Sequence, residues 1–199
     1  MVAIPRYGAT RAWQLVPSFG MADVRVHLRP FRDGDLELLS REATDPAFSL
    51  PYEWAGYRSP EAFRRRWEED GFLDKDPHQL VVADGDDTAL GRVVWRDAVL
   101  FSRNGWAWEI GIILAPEHRG RGVGTTAQRL LAEYLFDTTL VHRLCAYTES
   151  DNVVEQKSLE RCGFRREGVL RQAGFRGGSW RDVVIYALLR SDVDVTSDS

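Results

Sequence analysis

Leu114-Ala115-Pro116-Glu117-His118-Arg119-Gly120-Arg121-Gly122-Val123-Gly124 is the stretch on which the reading of this chain turns. An apolar run precedes it and an amphipathic run follows, so it reads as strand, loop and helix start. Three glycines and two arginines crowd that start. Glycine has no Cβ and lets the backbone approach a ligand closely. The first N–H groups of a helix lack internal partners and carry the positive end of its dipole. Together these make a seat for a diphosphate, to which Arg119 and Arg121 can add charge-assisted hydrogen bonds. A tight strand-to-helix turn flanked by two solvated arginines is the other reading, and the residues alone leave both open. The spacing is not that of a dinucleotide-binding turn, because no acidic ribose ligand sits on a following strand. Nor is it a Walker loop, because no Lys-Ser/Thr pair follows.

Working outward, residues 106–114 (WAWEIGIIL) are the most apolar strand, and 123–136 a helix with Val123, Ala127, Leu130, Leu131 and Leu135 on one face. Upstream, 24–31 (VRVHLRPF) alternates as a half-buried strand does. Asp33 or Asp35 is placed to cap a helix running to about residue 43. Residues 45–60 read as a loop rich in aromatics (Phe48, Tyr52, Trp54, Tyr57). Ser59-Pro60-Glu61 opens a helix to about residue 70, with Ser59 as cap and Pro60 at its first position. Residues 79–84 and 89–101 form a hairpin about Asp84-Gly85-Asp86-Asp87. Downstream come a strand at 141–148, a helix at 152–162 ended by Gly163, and a hairpin of 164–175 with 180–189 about Gly177-Gly178. The order β-α-α-β-β-β-α-β-α-β-β predicts an α+β fold with a mixed sheet. A single domain over 24–190 is expected, with an N-terminal extension at 1–23 and a polar tail at 191–199.

Composition narrows the function. The 199 residues are 44% hydrophobic and 28% charged, ordinary for one globular domain. No apolar run reaches the roughly 18 residues a membrane span needs, and residues 1–20 hold no apolar signal core, so a cytoplasmic protein without a membrane partner is expected. A net charge of −4 argues against a nucleic-acid partner. Cys145 and Cys162 fall in strand and helix patterns and read as reduced core residues. The four histidines show no metal-ligand spacing, so no metal is expected.

Arg119-Gly120-Arg121-Gly122-Val123-Gly124 resembles the R/Q-x-x-G-x-G/A acyl-coenzyme A signature of the GNAT acetyltransferases. The preceding Glu109-Ile110-Gly111-Ile112-Ile113-Leu114 is similar to the strand that holds the acetyl group in that family. Asp151-Asn152 through Gly163-Phe164 is similar to its later helix. His27-Leu28-Arg29-Pro30, Gly168-Val169-Leu170-Arg171 and Trp180-Arg181-Asp182-Val183-Val184-Ile185-Tyr186 resemble the Rim-type branch, which acetylates ribosomal-protein N-termini and other amines. The resemblance spans about residues 24–190.

It implies a GNAT fold: a central twisted, mostly antiparallel sheet, splayed at the acyl-CoA slot and flanked by about four helices. It implies acetyl-CoA as acyl donor, its pantetheine along Ile112, Ile113 and Leu114 and its diphosphate on the N–H groups of Gly120, Gly122, Val123 and Gly124. Asn152 would bond the pantetheine, or serve as a helix N-cap; the two are compatible. The reaction implied is direct attack by a primary amine on the thioester. Amines are mostly protonated at neutral pH, so a proton must be removed. Glu109, interrupting an apolar strand, is the candidate base; pairing with a nearby arginine is its other reading. A backbone N–H near Ile113 would stabilise the oxyanion. The family's Tyr position carries Leu159 and the branch's Ser position Glu155, so Ser158, one turn on, is the candidate acid.

The acceptor site implied lies among the first helices, their loop and the last hairpin. Tyr52, Trp54, Trp108 and Trp180 are the candidates there, as an aromatic pocket for an apolar or cationic amine. Core or homodimer packing is their alternative. Glu53, Asp74 and Asp76 are placed to draw a cation. The acceptor expected is a peptide N-terminus or a small-molecule amine. A module of the same fold that binds acyl-CoA without turnover, as a sensor, is the reading from another class.

Overall fold

The computed structural model describes residues 25–98 and 107–194, apart from the side chain of 194. The expected extension at 1–23, residues 195–199 of the tail, the end of the strand at 99–101 and Trp106 lie outside the described residues. Seven strands form one sheet in the order β1-β2-β3-β4-β5-β7-β6. They are β1 (Val26–Arg29), β2 (His78–Asp84), β3 (Ala89–Asp97), β4 (Ala107–Leu114), β5 (Arg143–Glu149), β6 (Arg165–Arg176) and β7 (Ser179–Leu189). Every neighbouring pair is antiparallel except β4 and β5. The fold is thus the mixed, mostly antiparallel sheet that the element order predicts.

Among the described residues six α-helices accompany it: α1 (Leu36–Thr44), α2 (Pro46–Ser49), α3 (Pro60–Asp70), α4 (Val123–Thr138), α5 (Val153–Arg161) and α6 (Arg190–Asp194). The expected four are α1, α3, α4 and α5. The other two are short. α2 interrupts the expected loop at 45–60, because the Asp45 side chain accepts from Ala47 N (2.9 Å) ahead of a first-position proline. α6 occupies the start of the expected tail.

Two expected caps do not form. Ser59 makes no side-chain cap bond. Asp35, buried at the end of a 3-10 turn, accepts instead from Arg29 (2.6 and 3.0 Å) and Arg32 N (2.7 Å). A guanidinium satisfies both carboxylate oxygens at once, which a helix N-terminus cannot.

Both sheet faces are covered. On β2, Leu80 and Val82 join the main core with α4 and α5, while Val81 and Ala83 join Phe31, Leu36, Leu39 and Phe72 on the opposite face. Strict alternation sends neighbouring side chains to opposite layers, and burial on both faces explains the unbroken apolar run. Leu131 and Leu135 of α4 are fully buried in the main core. A third cluster sets Leu38 of α1 and Phe48 of α2 against Ala115 and Ile113 at the end of β4. It seats the 45–60 segment beside the glycine loop.

Candidate active site

The parallel pairing of β4 with β5 is brief. Ala107, Trp108 and Glu109 face Arg143, Leu144 and Cys145, and there the ladder stops. Residues 110–114 remain paired with β3, and 146–149 with β7. Between them lies a splay whose two inner edges carry backbone donors and acceptors without a strand partner. α4 starts where β4 ends, and α5 starts where β5 ends, so both helix N-termini stand at its mouth.

Gly120 and Gly122 adopt left-handed φ of 72° and 80°, accessible to glycine without steric cost. The first backbone bond of α4 runs from Thr126 N to Gly122 O (3.0 Å). Among the described residues, the N–H groups of Gly120, Arg121, Gly122, Val123, Gly124 and Thr125 have no backbone acceptor. At the end of a 16-residue helix, this donor set fits a diphosphate. A Cβ on Gly120 would meet nothing within 4 Å, so its role is conformational. Gly91 is the glycine needed for space: a Cβ there would sit 2.3 Å from Ile113 O. Gly91 lets β4 close on β3 beside the splay. An isolated glycine in a strand pattern was the available signal.

Arg119 departs from expectation. Its guanidinium donates to Leu114 O (3.0 Å), Leu50 O (2.9 Å) and Phe48 O. It is spent on backbone carbonyls and fastens the 48–50 segment to the end of β4. Arg121 is exposed and free of such ties. On the other side of the splay, Tyr52 Oη donates to Asp151 O (3.1 Å), and the Arg176 guanidinium lies 5.1 Å from the Tyr52 ring centroid. Arg176 in turn bonds Glu149 (2.6 and 2.9 Å) and Asp151 (3.2 Å). Residues 48–53 therefore bridge the mouth of the splay, anchored at β4 by Arg119 and at β5 by Tyr52.

A buried ion network supports this bridge. Arg92 of β3 holds both oxygens of Glu42 of α1 at 2.8 Å and donates to Gln79 (3.0 Å). Arg58, just beyond the bridge, reaches Glu42 at 2.6 Å, and its N–H bonds Ala43 O (2.9 Å). Burial alone would raise the Glu42 carboxyl, but Arg92 and Arg58 outweigh it and hold it below the ordinary range. Nothing in the local sequence around Glu42 or Arg92 signals the pairing, because the partners lie 50 residues apart.

The candidate base Glu109 is ion-paired with Arg96, the cross-strand neighbour it faces on β3. One oxygen is therefore already engaged. Ser158 is buried between α5 and α4, sharing a hydrogen bond with Thr125 Oγ1 (2.9 Å) and donating to Gln128 Oε1 (3.0 Å). Both its bonds stay inside the helix contact, which takes it away from the splay. Asn152 caps α5, its Oδ1 accepting from Glu155 N (3.3 Å). Ile112 and Leu114 pack toward the main core and Ile113 toward the bridge.

Of the four acceptor candidates, two lie on or beside the bridge: Tyr52, and Trp54, which packs edge-on against Tyr57. Trp108 packs against the main core and donates to Asp97 Oδ1 (3.2 Å). Trp180 pairs with Phe175 on the last hairpin. Strand alternation puts that pair on the face opposite Arg176, hence away from Tyr52.

Two other carboxylates stand at the mouth. Glu53 is exposed, and among the described residues its carboxylate has no ion pair. Enough protein still surrounds it that desolvation raises its carboxyl; Glu42 and Glu149 push the same way, against Arg92 and Arg119. Glu155, in the first turn of α5, accepts from the Gln128 amide. Burial raises its carboxyl above the ordinary range, the Gln128 bond opposes this, and the Glu53 charge adds to it. Among the described residues no group of three or more His, Cys, Asp or Glu side chains is arranged to hold a metal ion. No described helix is long and apolar enough to cross a membrane.

The acetyltransferase (GNAT) domain family matches residues 25–165, and the chain belongs to that family. A Bacillus subtilis protein named probable N-acetyltransferase YjcK is 35% identical over 83 residues, 42% of this chain and 46% of that protein. Spermidine N(1)-acetyltransferase of Vibrio cholerae is 29% identical over 118 residues, 59% of this chain and 66% of that enzyme. The chain thus spans about half to two thirds of the length of the curated relatives it matches. A crystal structure of the Vibrio cholerae spermidine N-acetyltransferase with CoA and spermine superposes with a TM-score of 0.73 at 25% identity. That superposition covers 85% of this chain and 98% of the other.

Proposed function

We propose that this chain is an acetyl-CoA-dependent N-acetyltransferase whose acceptor is a primary amine. The observation that carries this reading is the joining of two features: a splay between β4 and β5, and unpaired N–H groups of residues 120–125 at its head. Neither feature serves the fold, since each leaves backbone groups without partners.

The N–H groups of Gly120, Arg121, Gly122, Val123 and Gly124 hold the diphosphate, and the exposed Arg121 adds charge. The free edge of Ile112, Ile113 and Leu114 pairs with the amides of the pantetheine. Asn152 orders the facing bank by capping α5. Binding across the splay fixes the thioester and excludes water; alignment of this kind supplies much of a transfer barrier. A backbone N–H near Ile113 receives the developing oxyanion. The acceptor enters under the bridge, where Tyr52, Trp54 and Glu53 favour a cationic amine. The Vibrio cholerae relative, named for spermidine, supports a small polyamine as the first acceptor to test. A peptide N-terminus, the acceptor of the Rim-type branch, is the second.

The test is thiol release from acetyl-CoA with spermidine, spermine, simple diamines and N-terminal peptides, alongside calorimetric titration of acetyl-CoA. Acetyl-CoA binding with amine-dependent release is the expected result. Tight binding without release by any acceptor would favour the sensor, and no binding would remove both readings.

A further inference from the structure

We propose that Glu53 and Glu155 are the proton-handling pair of the transfer, Glu53 taking the proton of the attacking amine and Glu155 supplying that of the departing thiol. This rests on the acetyl-transfer reading above and assigns the two roles that the expected residues do not fill. Glu109 carries a charged partner, the Arg96 guanidinium, where Glu155 has one neutral amide, and the hydroxyl of Ser158 spends its proton on Gln128.

The geometry selects the two glutamates. Tyr52, next to Glu53, is bonded to Asp151 O, one residue ahead of the cap of α5, and Glu53 N bonds Ser49 O (2.9 Å). Glu53 is thus carried on the bridge and delivered to the α5 side of the splay. Glu155 lies in the first turn of α5, and a chain of side chains running back into α4 sets its orientation. Thr125 and Ser158 share a bond, Ser158 donates to Gln128 Oε1, and the Gln128 amide is thereby turned to donate to Glu155 Oε1. Gln128 is almost wholly buried, so this orientation is fixed. Among the described residues no hydrogen bond engages Glu155 Oε2 or either oxygen of Glu53. Each carboxyl therefore keeps an open position at the mouth.

The two are electrostatically linked, since the charge of Glu53 raises Glu155. With Glu53 ionised, Glu155 keeps its proton further up the pH scale, which is the division of labour a base and an acid require. The charged groups that reach Glu53 are Arg92 and Arg96 of β3, Glu42 of α1, Glu149 of β5 and Arg119 of the glycine loop. Those coupled to Glu155 are Glu53 and the thiol of Cys162 at the far end of α5.

The step balances. The amine attacks neutral, having lost its first proton to solvent. Its nitrogen lone pair forms the C–N bond while the C–S bond electrons leave on sulfur. Glu53 accepts the N–H proton and Glu155 gives its O–H proton to sulfur. One proton then returns from Glu53 to Glu155 through solvent, and both groups are restored.

The experiment is steady-state thiol release against pH, with acetyl-CoA and whichever panel amine the wild-type protein turns over, for Glu155→Gln, Glu155→Asp, Glu53→Gln and Gln128→Met. Glu155→Gln is expected to lower kcat on the order of 100-fold and to abolish the alkaline limb, with the KM for acetyl-CoA within about threefold of wild type. Glu155→Asp keeps a carboxyl and an alkaline limb. Glu53→Gln lowers kcat similarly and changes the acid limb, leaving in it only the ionisation of the acceptor amine. Gln128→Met acts on Glu155 as a positioning change: losing a donor that favours the charged carboxylate moves the alkaline limb to higher pH. Carbon-13 carboxyl NMR of the ligand-free protein should show the Glu155 resonance titrating above the ordinary glutamate range, and thermal melting confirms that each variant folds. Wild-type turnover with a Glu155→Gln kcat within about threefold, or with the alkaline limb retained, would overturn the pair while leaving acetyl transfer intact. A kcat for Glu53→Gln within about threefold of wild type, or an acid limb left where the wild type has it, would overturn the role of Glu53. No release by the wild type with any amine would overturn acetyl transfer and the pair together.

Discussion

The two ends of the splay are built from different materials. At the proposed phosphate end the donors are backbone N–H groups of one continuous segment, residues 120–125, set by two left-handed glycines. At the proposed acceptor end the bridge is held by side chains: Glu42 of α1, Arg92 of β3, Arg119 of the glycine loop and Arg176 of β6, with the bridge's own Tyr52 donating to Asp151 O in the β5–α5 turn. A backbone site tolerates changes of side chain but fails when its dihedral angles change. A side-chain site fails whenever one charge of a buried set is removed. Glu42→Gln, Gly122→Val and Arg119→Leu each break one end and should spare the other.

The largest effect is expected at the buried network. Glu42→Gln leaves Arg92 charged and buried without its counter-ion, and loss of one partner of such a pair costs about 3–5 kcal/mol. Urea unfolding should show this as a lowered midpoint at neutral pH. The pH dependence has a definite sign. The Glu42 carboxyl is held below its ordinary range by Arg92 and Arg58, against burial. Its stabilisation is therefore full above the unfolded value, about 4.3, and is lost as the pH falls through the depressed folded value. The variant should lack that acid dependence; an unchanged midpoint at neutral pH would show that the network does not hold the bridge.

Next comes the phosphate end. Gly122→Val forces a β-branched residue to φ near 80°, where non-glycine backbone costs about 1–3 kcal/mol. The left-handed turn relaxes and the N–H groups disperse. Acetyl-CoA affinity should fall about 10- to 100-fold in calorimetry, while the acceptor KM measured at saturating acetyl-CoA stays near wild type. Equal loss in both would mean that the two ends are not separate.

Arg119→Leu sharpens the comparison, because the residue belongs to the glycine loop by sequence and to the bridge by contact. Freed from Leu50 O and Phe48 O, the bridge loses its β4 anchor. The acceptor KM should rise on the order of tenfold, with acetyl-CoA affinity within about threefold. The reverse pattern would return Arg119 to the diphosphate.

The smallest effect is a gain. The Glu155 carboxyl is raised by burial, so its ionisation opposes folding: stability is full below the unfolded value and declines as the pH rises through the raised folded value. Glu155→Gln should therefore melt a few degrees higher than wild type at pH 8, on the order of 1 kcal/mol, with the difference vanishing near pH 4. A lower melting temperature at pH 8 would show that the charged form is better accommodated than burial implies.

Much of the fold was legible because its signals are local. Alternation around β1, the glycine that ends α5 and the apolar run of β4 each report on a few consecutive residues. The glycine loop was legible in the same way, since one segment supplies every donor. α2 was not, because four residues capped by Asp45 look like loop until Phe48 finds its place against Ile113 and Ala115. The caps at Asp35 and Ser59 misled because a local rule was applied where a distant guanidinium competes, or where no cap bond forms. Trp108 and Trp180 resembled acceptor-site aromatics, but only the sheet's two faces determine which aromatics share a side.

By itself the sequence determined the order of elements, the strand-loop-helix unit and the backbone chemistry of residues 119–124, because dihedral freedom and helix-end donors belong to the local chain. The tertiary structure alone decided that Arg119 is a strut, that Glu109 meets Arg96, that Ser158 and Glu155 both meet Gln128, and that the Glu53 carboxylate meets no hydrogen-bond partner among the described residues. Those outcomes depend on which charges and amides meet across 13 to 71 residues of chain, a competition among separate elements that no local pattern encodes.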